Sequence, residues 1–221
     1  MTFVKVCGIT RESDATEAVR CGATVLGFVF WPESARYVDP DLASDIIGRL
    51  PRSVNTVGVF VNQSIEDVRH IAERAGISTI QLHGDEPASY ADAFATPILK
   101  AITLDEVDRS LSDWPDDTLV LLDAHDPIRR GGTGQVIDWE GAAKVAARRR
   151  VVLAGGLTAD NVRDAISAVH PFGVDVSSGV ERSPGIKDHD RINAFFEALH
   201  ATMAEREGLR SSARIENASR S

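Results

Sequence analysis

Eight short apolar runs rich in β-branched residues recur along the chain: Phe3 to Cys7, Thr24 to Phe30, Val54 to Val61, Ser78 to Leu82, Pro97 to Ile102, Thr118 to Asp123, Arg150 to Ala154 and Phe172 to Val176. Runs of this length, bounded by Gly, Pro, Asp and Ser, read as strands. Between them lie segments of helical character: Glu12 to Cys21, Pro40 to Leu50, Ile65 to Ala75, Pro87 to Phe94, Leu104 to Leu111, Trp139 to Arg149 and Ala159 to Val169, with Asp188 to Arg206 closing the series. Strands alternating with helices predict parallel βαβ units. Val57-Gly58-Val59-Phe60-Val61 and Val151-Val152-Leu153-Ala154 are apolar at nearly every position, as strands covered on both faces must be. Eight such units close without an exposed edge, so the expected fold is α/β, a single (β/α)8 TIM barrel.

Punctuation sharpens the helices. Ser64 and Thr158 stand where N-caps would precede Ile65 and Ala159, and Gly22 and Gly76 follow their helices as stops. Leu104 to Leu111 is short and weakly periodic. No linker or shift of composition divides the chain, so residues 1–206 are expected to form one domain. Residues 207–221 are polar with few apolar positions and read as a disordered tail.

Composition narrows the function classes. An apolar content of 43% is enough for one sizeable core, and a net charge of -9 argues against a nucleic-acid surface, although a small anion could be held locally. The two cysteines, Cys7 and Cys21, have neither metal-ligand spacing nor a disulfide framework, which fits a reducing cytoplasm. The first apolar run is too short for a signal peptide, and no stretch approaches the roughly 18 apolar residues of a membrane span. A cytoplasmic protein without membrane contact is expected, and a monomer.

In a parallel barrel the loops after the strands meet on one face. That face would hold Cys7, Arg36, Gln81, His83, Asp123, the pair Gly155-Gly156 and Ser177-Ser178-Gly179. A thiol and a carboxyl at two strand ends suit a base and an acid in one pocket. Each has a plainer reading, Cys7 as a small buried apolar residue and Asp123 as the cap of a loop amide. Glycines and serines after strands seven and eight suit a phosphate held on backbone amides, or are simply tight turns. Arg36 could fork onto a substrate carboxylate or be a solvated loop residue. His83 reads as a ligand or proton shuttle, or as a hydrogen-bonded structural histidine, and Gly131-Gly132-Thr133-Gly134 as a mobile loop over the site or an ordinary connection. No H-E-x-x-H, Cys-x-x-Cys or acidic cluster points to a metal.

Several motifs coincide with one family. Lys5-Val6-Cys7-Gly8-Ile9-Thr10, Gly27-Phe28-Val29-Phe30 with Ser34-Ala35-Arg36-Tyr37-Val38, Gly58-Val59-Phe60 and Gln81-Leu82-His83-Gly84 resemble phosphoribosylanthranilate isomerase of tryptophan biosynthesis. So do Leu122-Asp123, Gly131 to Gly134, Leu153-Ala154-Gly155-Gly156-Leu157, Asp175 to Glu181 and Pro184-Gly185-Ile186-Lys187-Asp188. The resemblance implies an Amadori rearrangement of N-(5′-phosphoribosyl)anthranilate, a small phosphorylated substrate, without metal or organic cofactor. It implies Cys7 as general base, Asp123 as general acid and Arg36 as the ligand of the anthranilate carboxylate. Gly155, Gly156, Ser177, Ser178 and Gly179 would hold the phosphate, with Gln81, His83 and Gly132 also at the substrate. Asp126 is a second carboxylate near the acid position, but Asp123 ends the strand. Rival readings are the related aminoimidazole isomerase of histidine biosynthesis, alone or as a second activity, and a phosphate-binding barrel without turnover.

Overall fold

A computed structural model describes residues 3–107, 111–124 and 137–218, with side chains in the last helix followed to Ala204. Eight parallel strands pair in chain order and the eighth returns to the first: β1 (Phe3–Cys7), β2 (Val25–Val29), β3 (Asn55–Phe60), β4 (Thr79–Leu82), β5 (Ile98–Thr103), β6 (Leu119–Asp123), β7 (Val151–Leu153) and β8 (Gly173–Val176). This is the closed barrel that the alternation of runs predicts. Among the described residues no helix is long and apolar enough to cross a membrane.

The period of two along each strand sorts side chains into two layers. Val4, Val6, Leu26, Phe28, Phe60, Leu82, Leu122 and Val176 point outward and pack with the helices into one large apolar shell. Cys7, Val25, Val29, Val57, Val59, Leu99, Ala101, Leu121, Val152 and Ala154 fill the interior. Lys5, also inside, is completely buried. Register makes its place possible: Lys5 pairs with Val25 and Cys7 with Gly27. A β-carbon on Gly27 would stand 2.8 Å from Cys7 Sγ and 3.0 Å from Lys5 Cε. The missing side chain on β2 therefore leaves room for both.

The helices are α1 (Glu12–Cys21), α2 (Pro40–Ile47), α3 (Ile65–Ala75), α4 (Ala88–Ala91), α5 (Trp139–Ala146), α6 (Val162–Val169) and α7 (His189–Ala218). Ser64 caps α3 by accepting from Asp67 N at 3.1 Å, and Gly22 and Gly76 end α1 and α3 in the left-handed region. Two expectations need correction. Helix α6 begins at Val162, because 158–161 form a turn in which Asn161 Oδ1 accepts from Thr158 N, so Thr158 is not its N-cap. After β5 a 3-10 turn, Leu104–Glu106, opens the segment expected to be helical; Val107 is helical and accepts from Leu111 N at 3.0 Å, and residues 108–110 lie outside the described residues.

The second correction concerns the C-terminal part. Helix α7 continues to Ala218 through much of the stretch expected to be disordered. Glu, Arg, Leu and Ala there are good helix formers, and low apolar content alone does not exclude a helix. An antiparallel pair, β9 (Glu181–Ser183) and β10 (Ile186–Lys187), folds the segment after β8 back on itself, which no apolar run announces.

Candidate active site

The C-terminal ends of the strands surround a cavity of about 720 Å3, counted to its open mouth. Cys7, Arg36, Gln81, His83, Asp123, Gly155, Gly156, Ser177 and Ser178 all line it. Gly179 lies beneath the lining: a β-carbon there would fall 1.9 Å from Leu157 O, so it lets the segments after β7 and β8 cross. Gly132 falls outside the described residues.

Asp123 is buried at the end of β6, where Oδ1 accepts from Ala124 N at 2.8 Å and Oδ2 lies 3.6 Å from His83 Nε2. Burial pushes its carboxyl up to about 6, with the Ala124 amide pulling the other way and Asp175 adding to the rise. A carboxyl that holds a proton near neutrality can act as an acid. Gln81 Nε2 lies 2.9 Å from His83 Nδ1. With Gln81 donating, the histidine carries its proton on Nε2, the nitrogen that faces Asp123.

Cys7 ends β1, also buried, and burial raises its thiol; Lys5 opposes that rise, Asp175 adds to it, and Lys187 opposes it. Lys5 Nζ donates to Asp175 Oδ2 at 2.8 Å, inside the barrel and directly below the cavity. The other Asp175 oxygen and Gln81 Oε1 are buried without a hydrogen-bond partner among the described residues. Both residues line the cavity, so these acceptors are suited to ligand hydroxyls.

The wall formed after β7 and β8 is of another kind. Gly155 and Gly156 both have positive φ, 79° and 66°, a course open to glycine, and they bring main chain to the cavity lining without a side chain between. Ser177 and Ser178 add hydroxyls, and Ser177 Oγ is within 3.2 Å of Cys7 O. The opposite wall is apolar: Val29, Trp31, Val59 and Val61 stand there with Arg36. Arg36 is itself gripped by Glu181, with Nε donating at 2.9 and 3.2 Å and Nη2 at 2.7 Å. Among the described residues, no group of three or more His, Cys, Asp or Glu side chains could hold a metal ion.

Lys5, Asp175, Glu181 and Lys187 are the charged members of the site that reasoning from strand ends passed over. For two of them a signal was present. Lys5 and Asp175 interrupt the apolar runs of β1 and β8 at inward positions, and a charge inside such a run needs a partner.

Thiol, carboxyl and imidazole side chains gathered at the C-terminal ends of a closed parallel barrel are the arrangement of the (β/α)8-barrel enzymes, whose sites lie at that face. The model of the N-(5′-phosphoribosyl)anthranilate (PRA) isomerase family matches residues 4–198, and the chain belongs to that family. The N-(5′-phosphoribosyl)anthranilate isomerase of Geobacter sp. strain M21 is 45% identical over 197 residues, 88% of this chain and 96% of that one. The crystal structure of the Thermotoga maritima isomerase superposes with a TM-score of 0.84 at 40% identity, over 91% of this chain and all of that one. That enzyme is described as dimeric. A phosphoribosyl anthranilate isomerase solved in complex with reduced 1-(o-carboxyphenylamino)-1-deoxyribulose 5-phosphate has a TM-score of 0.81 and 39% identity, over 91% of this chain and all of that one. The protein is thus an isomerase of tryptophan biosynthesis.

Proposed function

We propose that the rearrangement of N-(5′-phosphoribosyl)anthranilate to 1-(2-carboxyphenylamino)-1-deoxyribulose 5-phosphate is carried by Asp123 as general acid and Cys7 as general base. The reduced product analogue bound by a relative suggests the pose. Its phosphate would lie on the amides and hydroxyls of Gly155, Gly156, Ser177 and Ser178. The aromatic ring would rest against Trp31, Val29 and Val59, with its carboxylate on Arg36. Gln81 and Asp175 would take ribose hydroxyls on their unpartnered oxygens, and Gly179 supports the phosphate loop from below.

Asp123 gives its proton to the furanose ring oxygen as the bond from that oxygen to C1′ breaks. The aryl nitrogen supplies the electron pair and becomes a protonated imine. Cys7 as thiolate removes the proton from C2′, the electron pair moving onto the imine, and the resulting enolamine tautomerises to the ketone. The imine is the electron sink of the reaction. His83, facing Asp123 Oδ2, is placed to return a proton to the acid.

The two groups share one proton in the working state. With Asp123 near 6 and the thiol raised, the dominant singly protonated form has the proton on sulfur, and the reactive form is its tautomer. Rate against pH is therefore bell-shaped, its acid limb near pH 6 from Asp123 and its alkaline limb set by Cys7.

One observation carries the assignment: thiol and carboxyl line a single cavity that also holds an arginine, two glycines and two serine hydroxyls. The test is the fluorescence decay of freshly prepared phosphoribosylanthranilate. Cys7→Ala is expected to lose about 1,000-fold or more in kcat while keeping the wild-type circular dichroism spectrum. Wild-type turnover in that variant would refute the assignment. We read the protein further as a cytoplasmic monomer. Two free cysteines fit a reducing compartment, and Tyr37, Leu42 and Ile186 are the large apolar side chains exposed among the described residues. A dimer mass in light scattering would overturn the second point.

A further inference from the structure

Behind the sulfur lies a charged cluster that the reaction scheme leaves unused. The β9–β10 pair brings Glu181 and Lys187 under the rim of the barrel, 5% and 2% exposed. Lys187 Nζ donates to Cys7 O at 2.5 Å, to Ser177 O at 3.3 Å and to Glu181 Oε1 at 2.9 Å. Burial pulls its pKa down and Glu181 opposes that fall; three oxygen acceptors around Nζ match the three N–H groups of an ammonium ion. Glu181 also takes the Arg36 fork and the Gly185 amide at 3.2 Å. Burial would raise its carboxyl, yet Arg36 and Lys187 hold it below the usual range. Asp14, fully buried on α1, accepts from Lys187 N at 3.0 Å and so anchors the hairpin.

We propose that Lys187 is a positioning residue for the base: clamped by Glu181, its ammonium fixes the carbonyl at the Cys7 strand end and sets a positive charge behind the sulfur, while the same carboxylate aims Arg36. The inference rests on the assignment of Cys7 and Arg36 made above. A buried thiolate needs nearby positive charge. The charged groups around it come from several elements: Lys5 on its own strand, Asp175 on β8, Glu181 on β9, Lys187 on β10, Arg36 after β2, and Asp123 and His83 across the cavity. Lys5 and Asp175 cancel as a pair. Lys187, partnered by Glu181, adds a second cation beside that pair, and Asp14, which meets its backbone amide, is paired with Arg11. The Glu181 cluster also links the two ends of the proposed substrate, since a shift of Glu181 would move both the arginine on the carboxylate and the ammonium at the base.

The experiment measures the rate of Cys7 alkylation by iodoacetamide against pH in the full chain, in a Cys21→Ser background, with kcat and KM beside it. In Lys187→Met the thiol is expected to titrate at higher pH, kcat to fall about 10- to 100-fold and KM to move less than about threefold. In Glu181→Gln the thiol is expected to titrate at lower pH, because an anion has gone, and KM to rise about tenfold as Arg36 loosens. Opposite shifts are the signature of charge acting on the sulfur; a merely structural role moves neither titration. Unchanged alkylation profiles in both variants would overturn the proposal. Should Lys187→Met fail to fold, the sign of the Glu181→Gln shift decides. Retained turnover in Cys7→Ala would refute the assignment of the base instead, and that variant is read separately.

Discussion

The barrel has two buried layers that obey different rules. Between strands and helices, Leu26, Phe28, Phe60, Leu82 and Leu122 form a shell of purely apolar contacts. Inside the strands, apolar residues fill the middle, but Lys5, Gln81, Asp123 and Asp175 are buried among or above them. The outer layer releases apolar surface from water and asks nothing of geometry beyond close packing. The inner layer keeps charges out of water, which costs stability unless each is paired. Lys5 and Asp175 are paired; Asp123 has an amide and a distant imidazole, and Cys7 has the hydrogen bond and charge of Lys5. Stability therefore resides mostly in the outer layer, and the inner one gives some up for reactivity.

Substitutions in each layer sharpen the contrast. The largest effect should be on rate: Asp123→Asn is expected to cut kcat about 1,000-fold or more, measured by the fluorescence decay, with the fold intact. In the outer layer, Phe28→Ala removes a ring that is 0% exposed, so about 3–5 kcal/mol of unfolding free energy should be lost in a urea titration. Its KM should stay near wild type, and a specific loss of substrate affinity would break the division between layers.

Next in size is the stability that Asp123 forfeits. Its carboxyl is raised from 3.8 to about 6 in the folded state, so the folded protein favours the protonated form. The penalty is absent below the unfolded value and complete above about 6. Asp123→Asn is therefore expected to gain up to about 3 kcal/mol at pH 8, with the gain disappearing as pH falls towards 4. Equal stabilisation at pH 4 and pH 8 would exclude this cause. The smallest effect is at a helix end. Ser64→Ala removes the bond to Asp67 N and should cost about 1 kcal/mol in thermal or urea unfolding, without change in kcat.

Much of the scaffold could be read from the chain. Every barrel strand lies within its apolar run or within one residue of it, because a strand buried on both faces has few alternatives to β-branched residues. Helices α1 and α3 match their expected bounds, since their glycine stops are local signals. The start of helix α6 is not legible from Thr158, because a threonine before a helical run can equally cap the helix or open a turn, as it does here. The hairpin of β9 and β10 escaped notice because it is short and polar, and its register is set by Asp14, Lys187 and Glu181 rather than by a hydrophobic period.

By itself, the order of residues determined a parallel barrel, the ends of its strands, and hence that Cys7, Asp123 and the loop residues around them face one mouth. Those features follow from local periodicity, which each short segment carries within itself. Only the folded structure decided which charges meet: Lys5 with Asp175 across 170 positions, and Arg36 with Glu181 across 145. Such pairs form because barrel closure brings β8 beside β1, and burial then leaves a charge no stable choice but the partner within reach.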